Sequence, residues 1–146
     1  MERVTDAHRS ADESIASPIR VRQQRTISPA RLWIRRSVFV TGSTGYVGRK
    51  LIPRLIERGH QVRALARPGS EQKVPEGRAV VLGDALEEAS FADRVAPSDT
   101  FIQLVGVSHP SPAKAAEFRS IDLVSARASI SAAARAGVNH FVYVRR

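Results

Sequence analysis

The stretch "VFVTGSTGYVGRKLIPRLIERGH" (residues 38–60) spaces three glycines, Gly42, Gly45 and Gly48, as Gly-x-x-Gly-x-x-Gly between an apolar triplet and a run with helical periodicity. A turn of this composition works through its backbone. Amides at the positive end of a helix donate hydrogen bonds to a pyrophosphate, provided that no side chain holds the two apart. Gly42 permits the tight turn, Gly45 the close approach of the anion, and Gly48 the packing of helix against strand. The candidate binding turn is therefore Gly42, Ser43, Thr44, Gly45, Tyr46, Val47 and Gly48. A structural glycine turn without a ligand is the alternative, and the strand-turn-helix setting argues against it.

Other chemistry is excluded by composition. The 146 residues contain no cysteine, and the four histidines are scattered without metal-ligand spacing, which removes thiolate, disulfide and metal readings. A hydrophobic fraction of 42% and a charged fraction of 25% are those of a globular domain. No apolar run approaches the ~20 residues needed to span a bilayer, so a cytoplasmic protein is expected. The net charge of +9 raises the possibility of a nucleic-acid partner. Residues 1–36 hold eight arginines and four acids, the remaining excess is spread thinly, and there is no aromatic-and-basic interleaving of the kind that stacks bases. Nucleic acid is not the expected partner.

The elements that would position the turn follow from patterning. Residues 1–36 are polar, lack periodicity and carry Ser17-Pro18 and Ser28-Pro29, which reads as a disordered basic extension. They lack the apolar core of a secretory signal. From Ser37 onward, "VFV" (38–40), "QVRALA" (61–66), "RAVVL" (78–82), "TFIQLVGV" (100–107) and "HFVYV" (140–144) read as five strands, apolar enough to be covered on both faces. Val47, Leu51, Ile52, Leu55 and Ile56 predict a first helix closed by Gly59, with Pro53 as a local penalty inside it. The crossover between the second and third strands is short or irregular. Helices are predicted over 86–96 and 113–137, the last closed by Gly137. Alternation of this kind predicts a doubly wound α/β parallel sheet with strand order 3-2-1-4-5 over residues 37–146.

In order, "TGSTGYVGRKLIPRLIERGHQVRALAR", "VVLGDALE", "FIQLVG" and "AARAGVNHFVYV" resemble the NAD(P)-binding Rossmann half of atypical and extended short-chain dehydrogenases/reductases, including NmrA-like and epimerase/dehydratase-like proteins. The resemblance covers residues 37–144. It implies that Arg67, ending the second strand, faces the adenosine ribose, where a guanidinium pairs with a 2′-phosphate and a carboxylate would repel it. NADP(H) is thus expected over NAD(H), with a solvated loop arginine as the alternative. The resemblance also implies that Asp84, followed by Ala85, accepts from the adenine amino group; a helix N-cap is the other reading of Asp84. Leu104, Val105 and Gly106 would line the middle of the cofactor.

The same resemblance places a catalytic Tyr-x-x-x-Lys pair on a helix after the fifth strand, tyrosine as acid or base and lysine depressing its pKa. The sequence ends at Arg146, so no catalytic residue is assigned, the substrate part is expected to be missing, and the chain reads as a fragment of a longer protein. Tyr46 and Lys50 have the right interval but belong to the glycine turn and first helix. Tyr143 has no lysine partner, and His109 in "VSHPSP" is a loop histidine. The expected function is an NADP(H)-binding module of a reductase, epimerase or dehydratase. Its rival is a non-enzymatic NAD(P)-sensing or scaffold protein like the NmrA-like proteins or an accessory subunit of respiratory complex I. A small-molecule substrate and an oligomer are compatible with either.

Overall fold

The computed structural model describes residues 34–107 and 111–144. The reading of residues 1–33 and of His109 lies outside them. Five strands, β1 (Ser37–Thr41), β2 (Gln61–Ala66), β3 (Ala79–Leu82), β4 (Thr100–Gln103) and β5 (His140–Tyr143), form one sheet in the order β3-β2-β1-β4-β5. Every pairing is parallel, with Val38 beside Val62 and Thr100, and Phe101 beside Phe141. The predicted α/β doubly wound topology is the observed one.

Alternate residues of each strand serve two cores because a strand turns successive side chains to opposite faces. On one face Phe39, Leu65, Val81 and Phe101 pack with Phe91, Val95, Ala128 and Ala132. The Phe39 ring lies 5.2 Å from that of Phe101 and 6.1 Å from that of Phe91. On the other, Val38, Val40, Val62, Ala64 and Ile102 pack with Ile52 and Val74. Central strands buried on both sides explain the unbroken apolar runs of the sequence.

Helix α1 (Tyr46–Glu57) buries Gly48 and Ile52 and continues through Pro53. It ends at Gly59, whose φ of +82° allows the Gly59 and His60 amides to close back on the carbonyls of Ile56 and Leu55 at 2.8 and 3.0 Å. Just before β1, the Arg36 carbonyl accepts from Gln61 N at 2.9 Å and its amide donates to His60 Nδ1 at 3.2 Å. The crossover from β2 to β3 contains only a 3₁₀ turn at Glu71–Lys73, in keeping with its length.

Three predicted boundaries are corrected. The helix predicted over 86–96 is two 3₁₀ turns, Glu88–Ser90 and Ala92–Arg94. The Ser90 hydroxyl donates to the carbonyls of Asp84 and Glu87 and accepts from Asp84 N at 2.9 Å, and Phe91, with φ −140°, leaves the helical region. A serine that binds nearby backbone in this way competes with helix formation. Phe91 and Val95 are nonetheless buried, so the apolar spacing reports burial and misreports conformation. The helix predicted over 113–137 consists of a 3₁₀ turn (Pro112–Lys114), α2 (Ala115–Phe118), a π-helical segment (Arg119–Leu123) and α3 (Val124–Arg135). Strand β4 stops at Gln103 instead of 107, because the amides of Val105 and Val107 turn to side chains, Gln103 Oε1 at 3.4 Å and the Asp122 carboxylate.

Candidate functional site

The glycine turn starts from β1. Gly42 has φ +71°, and a Cβ on it would lie 2.8 Å from the Leu104 carbonyl carbon and 2.9 Å from Val105 N. Any other residue would be strained and would clash with backbone. The Gly45 amide closes the turn on the Gly42 carbonyl at 3.1 Å. Gly45 is the N-cap of α1 and offers no side-chain cap, and the first turn of the helix carries no acid. The opening amides of α1 thus lack the usual capping oxygen, which leaves them available to an anion. A Cβ on Gly48 would lie 2.5 Å from the Gly42 oxygen and 2.6 Å from that of Ser43, so this glycine lets the helix press onto its own turn.

At the carboxyl ends of the strands these elements enclose an open cleft of about 300 Å³. Ligands of doubly wound sheets bind at this position, where the strand order reverses. Of the residues singled out from sequence, Gly42, Thr44, Gly45, Arg67, Asp84, Ala85, Leu104, Val105 and Gly106 line it. Ser43, Tyr46, Val47 and Gly48 do not. Ser43 is buried and donates through Oγ to the Leu65 carbonyl at 2.6 Å, tying the turn to β2. Tyr46 points to solvent with 69% of its surface exposed, Val47 is half-buried, and Gly48 is packed behind the turn.

Arg67 is exposed at the end of β2 and at the rim of the cleft. Its carbonyl accepts from Ser70 N at 2.9 Å, and Asp84 is the one acid among the described residues that line the cleft. Asp84 Oδ1 accepts from Leu86 N at 2.9 Å. That bond caps a turn, and no α-helix follows it. Lys50, on α1, and Tyr143, at the end of β5, lie outside the lining.

Sequence reasoning missed five lining residues, Leu65, Ala66, Gly83, Leu86 and Ile121, and a buried polar network behind them. Thr41 Oγ1 donates to Gln103 Oε1, Gln103 Nε2 donates to Ser125 Oγ at 3.0 Å, and Ser125 Oγ donates to the Asp122 carbonyl at 3.2 Å. Thr41, Gln103 and Ser125 are fully buried. A threonine and a glutamine at the ends of two strands with apolar centres were the available signal.

The residues present fit a dinucleotide. The turn exposes amides without a side-chain cap beside a glycine, and Arg67 and Asp84 line the same cleft. Among the described residues there is no cluster able to hold a metal ion, and no helix is long and apolar enough to cross a membrane.

Comparison with known proteins places this geometry. Residues 42–146 match the family model described as NAD(P)H-binding. A 3-beta-hydroxysteroid dehydrogenase of Mycolicibacterium neoaurum is 32% identical over 112 residues, 73% of this chain and 31% of that protein. A 4-hydroxy-2-methyl-3-oxo-4-farnesyl-3,4-dihydroquinoline-1-oxide ketoreductase of Stigmatella aurantiaca is 32% identical over 108 residues, 73% of this chain and 32% of that protein. Among solved structures, a short-chain dehydrogenase/reductase superfamily protein from Agrobacterium tumefaciens with bound NAD superposes with a TM-score of 0.59 at 26% identity, covering 73% of this chain and 31% of that one. An epimerase from Methanothermobacter thermautotrophicus does so with a TM-score of 0.62 at 27% identity, covering 78% and 36%. The chain spans about a third of the length of these relatives. Its glycine turn, sheet order and family match agree, and the chain belongs to the NAD(P)H-binding family, with the Rossmann fold of the short-chain dehydrogenase/reductase and epimerase superfamily.

Proposed function

We propose that this chain is the NADP(H)-binding part of a reductase, epimerase or dehydratase and that the groups reacting with substrate lie outside the residues described. The observation that carries the cofactor reading is the uncapped N-terminus of α1, set behind Gly42 and Gly45 and opening onto the cleft. The pyrophosphate would sit against the amides of the turn and the first residues of α1. Asp84 and Ala85 would face the adenine, and Leu104, Val105 and Gly106 the middle of the cofactor. When bound, the dinucleotide supplies hydride chemistry; the chain binds it, orients it and selects its phosphate form.

Arg67 supports the preference for NADP(H). A guanidinium at the rim pairs bidentately with a 2′-phosphate, and none of the residues lining the cleft beside it is an acid suited to hold a free 2′-hydroxyl except Asp84, which already caps a turn. Among the described residues that line the cleft there is no tyrosine, lysine or histidine, and the role assigned to them is accordingly binding and no proton transfer. The same composition fits a non-enzymatic NADP(H) sensor. The test is a thermal melt with and without saturating dinucleotide. At a hundredfold excess over Kd a ligand of the native state adds about 2.7 kcal/mol, and a larger shift with NADPH than with NADH is the expected result. No shift with either dinucleotide would overturn the reading.

A further inference from the structure

Leu104, Val105 and Gly106 form one wall of the cleft, and the segment 104–107 that carries them is gripped from both sides. On the inner side a Cβ on Gly42 would lie 2.8 Å from the Leu104 carbonyl carbon and 2.9 Å from Val105 N. On the outer side a Cβ on Gly106 would lie 2.7 Å from Asp122 Oδ1. The wall therefore passes between the glycine turn and the Asp122 carboxylate with no room for a methyl group at either contact.

Asp122 is 7% exposed and sits in the π-helical segment, where the widened turn carries its side chain to the wall. Both carboxylate oxygens accept from Val107 N, at 3.1 and 3.3 Å. The root of the wall is held by Gln103, whose Oε1 accepts from Val105 N and whose Nε2 donates to the Val105 carbonyl, both at 3.4 Å. Through Ser125 that amide is tied to the Asp122 carbonyl. Taking a carboxylate out of water is strongly unfavourable unless hydrogen bonds replace the solvent, and an apolar residue would fill the same helical turn at no such cost. Asp122 does not line the cleft, so any effect it has on a ligand passes through the wall.

We propose that Asp122 is a positioning residue for the dinucleotide: by holding Val107 it sets the separation between the 104–107 wall and the glycine turn, and with it the affinity of the cleft. This inference rests on the dinucleotide reading above. The test compares the wild-type chain with Asp122→Ala and Asp122→Asn, each titrated with NADPH by the change in its fluorescence and each melted without ligand. Asp122→Ala is expected to melt cooperatively and to bind NADPH about tenfold more weakly, the size expected when a charge-assisted hydrogen bond is lost. Asp122→Asn keeps an oxygen for Val107 N and is expected to restore affinity to within about threefold of the wild type. Asp122→Ala binding as tightly as the wild type would overturn the inference and leave the dinucleotide reading standing, whereas a wild-type chain that binds neither NADPH nor NADH overturns both. Should Asp122→Ala fail to melt cooperatively, amide exchange at Val107 of the wild-type chain decides. Protection as strong as at Phe101 and Ile102 supports the clamp, and exchange at the rate of a free peptide overturns it.

Discussion

Gly48 lies so close to Gly42 that a Cβ on the first would sit 2.5 Å from the carbonyl oxygen of the second. The contact is backbone on backbone, so nothing nearby can rotate away. It divides the glycines of the turn into two kinds. Gly42 and Gly48 are required by the fold, whereas Gly45, at φ −75°, is less crowded: its Cβ position lies 3.3 Å from the Gly42 oxygen, which would have to give by a few tenths of an ångström, and the residue lines the cleft.

Gly48→Ala is accordingly expected to damage folding. Overpacking against rigid neighbours costs about 1–3 kcal/mol or more, and a contact at 2.5 Å belongs at the upper end. Urea denaturation of the ligand-free chain measures this directly; a loss below ~1 kcal/mol would show that the helix can slide off the turn.

Gly45→Val should act chiefly on binding, costing less stability than Gly48→Ala, since its Cβ meets the Gly42 oxygen at 3.3 Å and not 2.5 Å, while abolishing dinucleotide binding. The valine side chain would occupy the space above the helix amides that a pyrophosphate must enter. Isothermal titration with NADPH reads the effect, and unaltered affinity would remove the turn from the binding site.

Exchanging the charge at the rim tests the choice of cofactor. Arg67→Asp is expected to reverse the ratio of NADPH to NADH affinity, weakening NADPH by about tenfold or more through loss of a charge-assisted pair and gain of a repulsion. The native stability should hardly move, because Arg67 is exposed and surface substitutions cost little. A constant ratio would mean that selection is made elsewhere.

Tyr46 and Lys50 have the interval of a catalytic pair and the wrong location. Both are exposed and neither lines the cleft. Tyr46→Phe and Lys50→Met are expected to leave NADPH affinity within about threefold of the wild type by fluorescence titration, and a larger loss from either would bring the outer face of α1 into the site.

The core carries a simple stability prediction. Phe39 is fully buried between Phe91 and Phe101, and Phe39→Ala should cost about 3–5 kcal/mol in denaturant unfolding through lost burial and the cavity left behind.

Much of this protein was legible without coordinates. Apolar runs ending in glycine turns are local signals; those at 38–40 and 61–66 became inner strands of the sheet, and 140–144 supplied the edge strand β5, which stays partly exposed. The sheet order followed from right-handed crossovers, and nine of the thirteen residues singled out as the binding turn and cleft wall came together in one cleft. The family resemblance supplied roles for Arg67 and Asp84 that spacing alone did not.

Tertiary structure decided what depends on partners distant in sequence. Thr41 and Gln103 are 62 positions apart and Val107 and Asp122 are 15 apart; neither bond leaves a periodic trace. For that reason β4 stops at Gln103, the helix before β5 widens at Asp122, and the cleft wall takes its place between them. Ser90 acts in the same way over a shorter range, drawing Asp84 and Glu87 to its hydroxyl and turning an amphipathic pattern into two 3₁₀ turns. Periodicity records which side of an element is buried, whereas a polar side chain's choice among backbone groups is settled only when folding has brought those groups within hydrogen-bond reach.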